Sequence, residues 1–562
     1  MIALVEEQLS DVLRTLLARG PEPWPAPSAE GKDQTGADAA PRWEIPKDAS
    51  LGDLSNPIAF KLAAQRKRPP QQVAEELARE LLPCCRQAGM DGVVDRVEAK
   101  AGFLNVFLSQ QALSTMLREI LKRGHGYGTR PPCDRLINIE FVSANPTGPL
   151  SVAHGRQAAV GDVLARLLRS QGYQVTTEYY LNDEGRQIEM LGRSLRARYL
   201  EKLNRPEPFP EDGYQGLYVI DSAERLVKEH GDRLVEQPLD YFMAVGMAEQ
   251  LEEIKRVLER FGLRFDRWTS QKWLRTSGHI DAALGKLKAA GMLYDADDAT
   301  WFASTKFGDD KDRVVRKRDG EMTYLAPDIA YHRWKAEQGY QQLLNLWGPD
   351  HHGYIARVKA AMTALGFDAK QLTVRIVQLV TLSRNGKPVP MSKRQGEFVT
   401  FQEILDEVGV DATRFFYLMR TMESHLDFDL ELAKAQSQEN PIYYVQYAHA
   451  RICSIVAKSR VPWWHRRWPN FTLLKAPEER LLLRSLFQYP IVLRLCAAAL
   501  EPHGLTVYLR KLAETFHVFY DRHRVIGDDQ RLSAARLALI NGARNVLANG
   551  LDVLGVSAPQ KM

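Results

Sequence analysis

The chain has 562 residues, 45% hydrophobic and 26% charged, with a net charge of +5. At about 150 residues per domain this length divides into three or four domains, and the composition excludes bulk disorder and a fibrous chain. No apolar stretch reaches the roughly 18 residues that span a bilayer, and the five cysteines lack C-x-x-C spacing, which argues against a disulfide framework or zinc site and fits a reducing cytoplasm.

Residues 1–20 carry Glu6, Glu7 and Asp11 on an amphipathic helical pattern, unlike a basic-then-apolar leader. Residues 20–42, rich in Pro, Ala, Gly and Asp, have no apolar period and read as a surface insertion. Helices are expected at 56–66 and 70–82, strands at 93–99 and 103–108, which together make a small α+β domain over 1–112. A helix over 110–123 leads out of it. A catalytic α/β domain is expected over 130–435. It opens with a strand at 136–142, which ends in the turn Asn145-Pro146-Thr147-Gly148-Pro149, a run that no helix or central strand can contain. A helix at 156–169 and a strand at 173–179 follow. A largely helical insertion then runs over 187–263, and further strands are expected at 322–326, 343–347 and 374–382, with a helix at 354–365. Strands spaced by helices imply a Rossmann-like, doubly wound parallel sheet.

After Asp411 no strand pattern remains. Helical patterns at 440–457, 480–499, 506–520 and 533–551 describe an all-α bundle over 436–562. That stretch holds 17 Lys and Arg against 9 Asp and Glu, an excess of +8, while the remainder carries 58 basic and 61 acidic residues. A basic third on a near-neutral body suits a polyanion, most simply nucleic acid. From charge alone, an Arg-rich solvated helix surface fits equally well.

Two segments about 240 residues apart can carry chemistry. In the first, Ala144 to Arg156, a strand and a Pro/Gly turn feed a helix beginning near Gly155. The unpaired N–H groups and positive dipole end of that helix make an anion site. Gly155 would let a ligand approach the backbone, and His154 can donate to a phosphate or ribose oxygen; an ordinary strand-to-helix turn with a capping His has the same letters. The second, Ser383 to Gly396, is cationic and bounded by glycines. Such a loop can close over a triphosphate with the Lys393 ammonium as a point charge, or can be a basic surface hairpin.

Together they resemble the HIGH-type and KMSKS-type signatures of class I aminoacyl-tRNA synthetases. The stretches Glu140-Phe141-Val142-Ser143-Ala144-Asn145-Pro146-Thr147-Gly148-Pro149, Asp328-Ile329-Ala330-Tyr331-His332, Gly348-Pro349-Asp350-His351-His352-Gly353-Tyr354, Met391-Ser392-Lys393-Arg394 and Tyr443-Tyr444-Val445-Gln446-Tyr447-Ala448-His449-Ala450-Arg451 look like those of bacterial-type arginyl-tRNA synthetases. The resemblance runs almost end to end. It implies activation of L-arginine with ATP and transfer to tRNA(Arg), with Mg2+ carried on the nucleotide, in a cytoplasmic monomer with no membrane partner.

By the same resemblance Asp328 takes the guanidinium, a planar fork of five donors, and Tyr324 adds a hydroxyl. Glu140 and Asn145 lie near the amino acid's ammonium and carboxylate, and His352 and Gln271 line the same pocket. Without the family, Asp328 after Pro327 would read as a helix N-cap, and Glu140 as a solvated strand residue. Pro149, Ser151, His154, Gly155, Met391, Ser392 and Lys393 surround ATP; His154, Lys393 and Ser392 act on the pentavalent transition state. The N-terminal domain would hold the tRNA elbow, with Asn105 and Phe107 at a D-loop base; as a turn Asn and a core Phe they would need no RNA. The C-terminal bundle would read the anticodon through Tyr443, Tyr447, Arg451 and Arg524. The run Trp463-Trp464-His465-Arg466-Arg467-Trp468 adds more aromatics and cations.

The sequence departs from the family pattern. Ser151 replaces the first His of the first signature, Ala153 a Gly, Pro390 the first Lys of the second, and Gln271 a Glu expected at the guanidinium. Loss of one carboxylate from such a pocket is expected to weaken arginine binding by about 1–3 kcal/mol. A tRNA-binding paralogue with weakened catalysis is therefore the alternative reading. A small-acid nucleotidyltransferase of the same fold is disfavoured by the basic helical tail.

Overall fold

The computed structural model describes residues 2–19, 43–46, 48–389 and 399–562. Its N-terminal part packs helices α1 (Ile2–Arg19), α2 (Ile58–Arg66) and α3 (Pro70–Gln87) on a small antiparallel sheet of β1 (Leu54–Asn56), β2 (Val94–Lys100) and β3 (Phe103–Leu108), with β3 in the middle. Helix α3 begins on Pro70 and runs through Pro83 to Gln87, past the expected stop at 82. Helix α4 (Gln110–Arg123), capped by Ser109, leads to the central domain.

That domain is built on a five-stranded, all-parallel sheet of β4 (Leu136–Glu140), β5 (Gln174–Leu181), β6 (Arg267–Ser270), β10 (Gln342–Trp347) and β11 (Leu372–Ile376), in the order β11-β10-β4-β5-β6. Between β4 and β5 runs α5 (Val152–Ser170); between β5 and β6 lies the helical insertion of α6 (Arg186–Lys202), α7 (Leu217–His230) and α8 (Leu239–Arg260). After β6 come α9 (Gln271–Thr276), α10 (His279–Ala289), a small antiparallel sheet of β7 (Leu293–Ala296), β8 (Ala299–Phe302) and β9 (Arg313–Arg316), then α11 (Leu325–Glu337), β10 and α12 (Ile355–Ala364). Chain order reverses between β4 and β10. In open parallel sheets the crevice beyond the strand C-termini at such a reversal is the ligand site.

Three expectations need correcting. Residues 322–326 form no strand: only Met322 bridges Arg316, and α11 starts at Leu325. The expected strand at 374–382 is two, β11 and then β12 (Val380–Arg384), because the chain leaves the main sheet at Val377. β12 pairs with β13 (Lys387–Pro388) and in parallel with β14 (Leu426–Asp429), so strands continue beyond Asp411.

Helices α13 (Phe401–Val408), α14 (Val410–Tyr417) and α15 (Leu430–Lys434) join this sheet to a bundle of α16 (Pro441–Lys458), α17 (Trp463–Arg467), α18 (Pro477–Ala499), α19 (His503–Arg522) and α20 (Gln530–Val553). No uninterrupted apolar run of membrane-spanning length occurs in α18, which Arg484 and Arg494 break, although by length and mean hydropathy alone this helix could cross a membrane. It packs instead inside the bundle, with Leu482, Leu486 and Phe487 buried.

One apolar core runs from Val5 of α1 through Phe141 to Val556. At its centre Arg414 of α14 is buried, donating to Asp162 of α5 at 2.7 Å, to the Phe261 carbonyl at 2.7 Å and to the Leu554 carbonyl at 3.4 Å. A side chain at Gly555 (φ +67°) would collide with that guanidinium. Glu6 pairs with Arg494, and Asp53 with Arg484, so N-terminal part and bundle are also clamped by charge.

Candidate active site and RNA-facing surfaces

The chain leaves β4 through a strained turn. Val142 (φ +67°) and Ser143 (φ +40°) both adopt left-handed backbone, which for a β-branched residue costs about 1–3 kcal/mol. Three hydrogen bonds hold it: Ser143 N–H to the Phe141 carbonyl at 2.9 Å, Tyr180 N–H to Ser143 Oγ at 3.1 Å, and Tyr179 hydroxyl to the Ala144 carbonyl at 2.7 Å. The turn lifts Asn145 out of the sheet plane and into the crevice at the strand-order reversal.

There a cavity of about 530 Å³ is lined by Glu140, Asn145, Gln271, Tyr324 and Asp328, together with His154. The expected amino-acid residues and the first signature's histidine therefore share one wall system. Three carboxylates, from Glu140, Asp328 and Asp350, line the cavity, and among the described residues no Lys or Arg does. His352 does not line it; its neighbour His351, on the short 3-10 turn at Pro349–Tyr354, does, at the open side.

Glu140 is neither solvated nor on an edge. It ends a central strand, buried, and accepts from Lys335 Nζ of α11 at 2.7 Å; the same ammonium donates to Asn345 Oδ1 at 3.1 Å. Asp328 is not an N-cap: Tyr324 holds that position, exposed at the cavity rim, and Asp328 lies in the first turn. Burial pushes the Asp328 carboxyl up to about 7, with the Tyr354 hydroxyl beside it pulling the other way and Glu140 adding repulsion. His332 is pushed down to about 3 by burial and by the Lys335 charge. It is thus neutral, with Nδ1 donating to the Asp328 carbonyl at 2.8 Å and Nε2 accepting from Asn345 at 2.9 Å.

Gln271 accepts from the Tyr180 hydroxyl at 3.1 Å and donates to Glu184 at 3.4 Å, and Glu184 is held by Arg275 at 2.8 Å. The carboxylate missing at 271 therefore has a neighbour one hydrogen bond behind. Tyr180, His332 and Lys335 join the site without having been singled out for a role by the sequence pattern. The signal was present in α11, where Asp328, His332 and Lys335 recur at i, i+4 and i+7 on a face that should have been apolar.

At the start of α5 the Ser151 N–H donates to His154 Nδ1 at 3.1 Å, closing a reciprocal cap. A neutral His154 then carries its proton on Nε2 and is a donor. The imidazole stands where the first cavity meets a second of about 680 Å³, lined by Pro149, Asn145, Gln187 and Tyr218. Gly155 does not face a ligand: a Cβ there would sit 2.5 Å from the Phe401 ring, so the missing side chain serves packing. Met391, Ser392 and Lys393, with Pro390, lie outside the described residues. The chain returns beside the first segment, Phe401 N–H donating to the Leu150 carbonyl at 2.7 Å and Thr400 bridging Ser151.

Asn105 and Phe107 are buried in β3, which contradicts their expected exposure. Asn105 accepts from Ser55 Oγ at 2.9 Å, and the Arg96 guanidinium covers the Phe107 ring at 3.6 Å. A middle strand offers one face to α2 and α3 and leaves little for a base. Tyr443 and Tyr447 are half-exposed on α16 with rings stacked 6.3 Å apart, and Tyr447 stacks in turn on His517 at 5.9 Å. Arg451 is exposed, donates to the Tyr520 hydroxyl at 2.7 Å and covers that ring, and Arg524 is exposed just past α19.

Three family models match the chain: the arginyl tRNA synthetase N terminal domain over residues 4–108, the class I (R) tRNA synthetase catalytic domain over 116–422, and the DALR anticodon binding domain over 445–562. The arginine–tRNA ligase of Anoxybacillus flavithermus is 44% identical over 92% of this chain and 94% of its own, and that of Bacillus subtilis 43% over the same shares. In fold, the chain superposes over its whole length on the arginyl-tRNA synthetase of Thermus thermophilus, covering all of that chain, with a TM-score of 0.78 at 21% identity.

Proposed function

The chain belongs to the arginine–tRNA ligase family of class I synthetases, and we infer that it activates L-arginine with ATP and transfers the arginyl group to tRNA(Arg). The observation that carries the arginine assignment is the cavity at the β4/β10 reversal, lined by three carboxylates and, among the described residues, by no Lys or Arg. A guanidinium brought there meets Asp328 as its ion-pair partner. Its planar edge is offered the Gln271 amide, with Glu184 behind, and the Tyr324 hydroxyl at the rim. Lys335 neutralises Glu140, which leaves Asp328 and Asp350 as the carboxylates that a ligand has to match, Asp328 the buried one. Asn145 and Glu140, at the mouth of the turn, fit the amino acid's own polar groups.

In the first step the arginine carboxylate attacks the α-phosphorus, a P–O bond forms, and pyrophosphate leaves. In the second, a hydroxyl of the tRNA's terminal ribose attacks the activated carbonyl, and AMP leaves with the bridging oxygen. Neither step needs a covalent enzyme intermediate; positioning and charge stabilisation suffice. His154 Nε2–H is the donor for the phosphate oxygens, and Pro149 and Ser151 shape the turn under them. Met391, Ser392 and Lys393 are assigned to the triphosphate by the family motif alone. Mg2+ enters with the nucleotide as part of the substrate. Among the described residues no group of three or more His, Cys, Asp or Glu is arranged to hold a resident ion.

We assign the tRNA elbow to the N-terminal domain and the anticodon to the stacked Tyr443–Tyr447 face with Arg451 and Arg524, in a cytoplasmic monomer. No observation favours the weakened-paralogue alternative: Ser151 still caps α5, and Gln271 has Glu184 beside it. The test is tRNA charging by the full chain with ATP and L-arginine, beside L-citrulline, which replaces the guanidinium by a neutral urea. Charging with arginine and none with citrulline is expected. No charging with arginine overturns the reading.

A further inference from the structure

A third place gathers rings and cations, away from both surfaces above. Around α17 the indoles of Trp463, Trp464 and Trp468 are 68%, 56% and 79% exposed, an unusual concentration for surface tryptophans. Trp463 and Trp468 edge an open groove of about 970 Å³, with Arg466 and Arg467 on the same wall and Arg118 and Lys122 of α4 on the other. No carboxylate lines it, and none of the four cations has an ion-pair partner among the described residues. Arg118 instead rests on the Phe471 ring at 5.2 Å, and Arg467 on Trp468 at 5.8 Å.

The floor is a strip of α20 formed by Ala534, Leu537 and Ala538, and at its end stands Asn541. The Asn541 side-chain oxygen is sealed from solvent and accepts no hydrogen bond within the protein. The groove is also distinct from the stacked tyrosine face. Val456 of α16 lines it, and lies nine residues after Tyr447, about 180° around the helix.

We propose that this groove is a second RNA-binding site, which holds an unpaired nucleotide of the tRNA. The base stacks on the exposed indoles, and the flanking phosphates pair with Arg466 and Arg467 on one side and Arg118 and Lys122 on the other. The occupant's chemistry follows from the charge and the rings together. A lipid surface would want a longer amphipathic helix; here indoles and cations share five helical residues and the residue after them, and the cations stand on two facing walls. The identification of the RNA as tRNA rests on the charging activity inferred above.

The experiment uses the full chain. In W463A/W468A, the charging KM for tRNA should rise about tenfold with kcat unchanged, as loss of one base-stacking platform predicts, while W468F stays near wild type. In R466Q/R467Q, the slope of log tRNA affinity against log salt should fall by roughly 1.4, two phosphates' worth. Melting temperatures of the variants report folding, and quenching of indole fluorescence by a mixed-sequence RNA hexamer reads the groove without charging. A tRNA affinity within twofold of wild type in W463A/W468A, or a hexamer that does not quench, overturns the proposal. So does loss of binding to phosphatidylserine–phosphatidylcholine vesicles in that variant with tRNA affinity unchanged. A wild type that quenches with the hexamer and yet charges no tRNA sinks the charging reading and leaves an RNA site standing.

Discussion

The Lys335 ammonium lies 2.7 Å from the Glu140 carboxylate, with the lysine wholly buried and the glutamate nearly so. Removing one partner of such a pair strands the other's charge, which costs about 3–5 kcal/mol. Urea unfolding of K335M should show a loss of that size. K335M/E140Q should recover a good part of it, because no charge is then left behind. Equal losses in the single and double variants would show that the pair contributes packing alone.

Asp328 should make arginine recognition pH-dependent. With its carboxyl pushed up to about 7 in the folded chain, the ionised form that pairs with a guanidinium grows in as pH rises through 7. The arginine KM should therefore fall between pH 6 and 8, and D328N should raise it at least 100-fold and flatten the profile. Folding stability moves in the opposite direction. The unfolded carboxyl titrates near 3.8 and the folded one near 7, so the folded state alone keeps the proton in between. The stability that Asp328 contributes falls as pH rises from about 4 to about 7, and the melting temperature of D328N should lack this decline.

Glu184, one hydrogen bond behind Gln271 and paired with Arg275, is the carboxylate nearest to the one that position 271 lacks, and is expected to supply part of its charge. E184Q should raise the arginine KM about tenfold, whereas Q271E should change it less than threefold, since a second carboxylate beside Glu184 gains little. A large improvement in Q271E would show that Glu184 does not reach the ligand.

H154A removes the Nε2–H donor together with the cap at the head of α5. Loss of a preorganised donor to developing phosphate charge should lower kcat about 100-fold or more, while arginine affinity measured by calorimetry stays within a few-fold.

The tyrosine face and the N-terminal strand should respond differently. Y447A should raise the charging KM for tRNA about tenfold with little change in melting temperature. N105A should lower the melting temperature, because Ser55 loses its acceptor, and should leave the tRNA KM alone. A tRNA defect in N105A at unchanged stability would restore Asn105 to the RNA surface.

Much of the fold was readable from period and punctuation. The Asn145–Pro149 turn, the apolar spacing of α5 and the four long C-terminal helices each announce themselves locally. What stayed hidden depends on contacts between distant segments. Residues 322–326 have strand-like letters, but the helix beginning at Leu325 buries Leu325, Ala326 and Ile329 in a separate cluster with α10 and α12. Val377 breaks a run that looks continuous, and only the pairing of β12 with β14 reveals the break. In the site, Asp328 and Asn145 carried their chemistry in their own motifs. Lys335 did not, because a lysine seven residues down a helix reads as solvated until the strand beneath supplies Glu140. Asn105 and Phe107 failed for the converse reason, since exposure is decided by which strand ends up in the middle of a sheet.

Asp162 sits eight residues beyond His154 on the same helix, about 12 Å along its axis, and is bolted through Arg414 to the final turn of α20. The helix that presents the imidazole and the end of the last helix therefore share one buried anchor, so the seating of the catalytic end depends on residues some four hundred positions further along the chain.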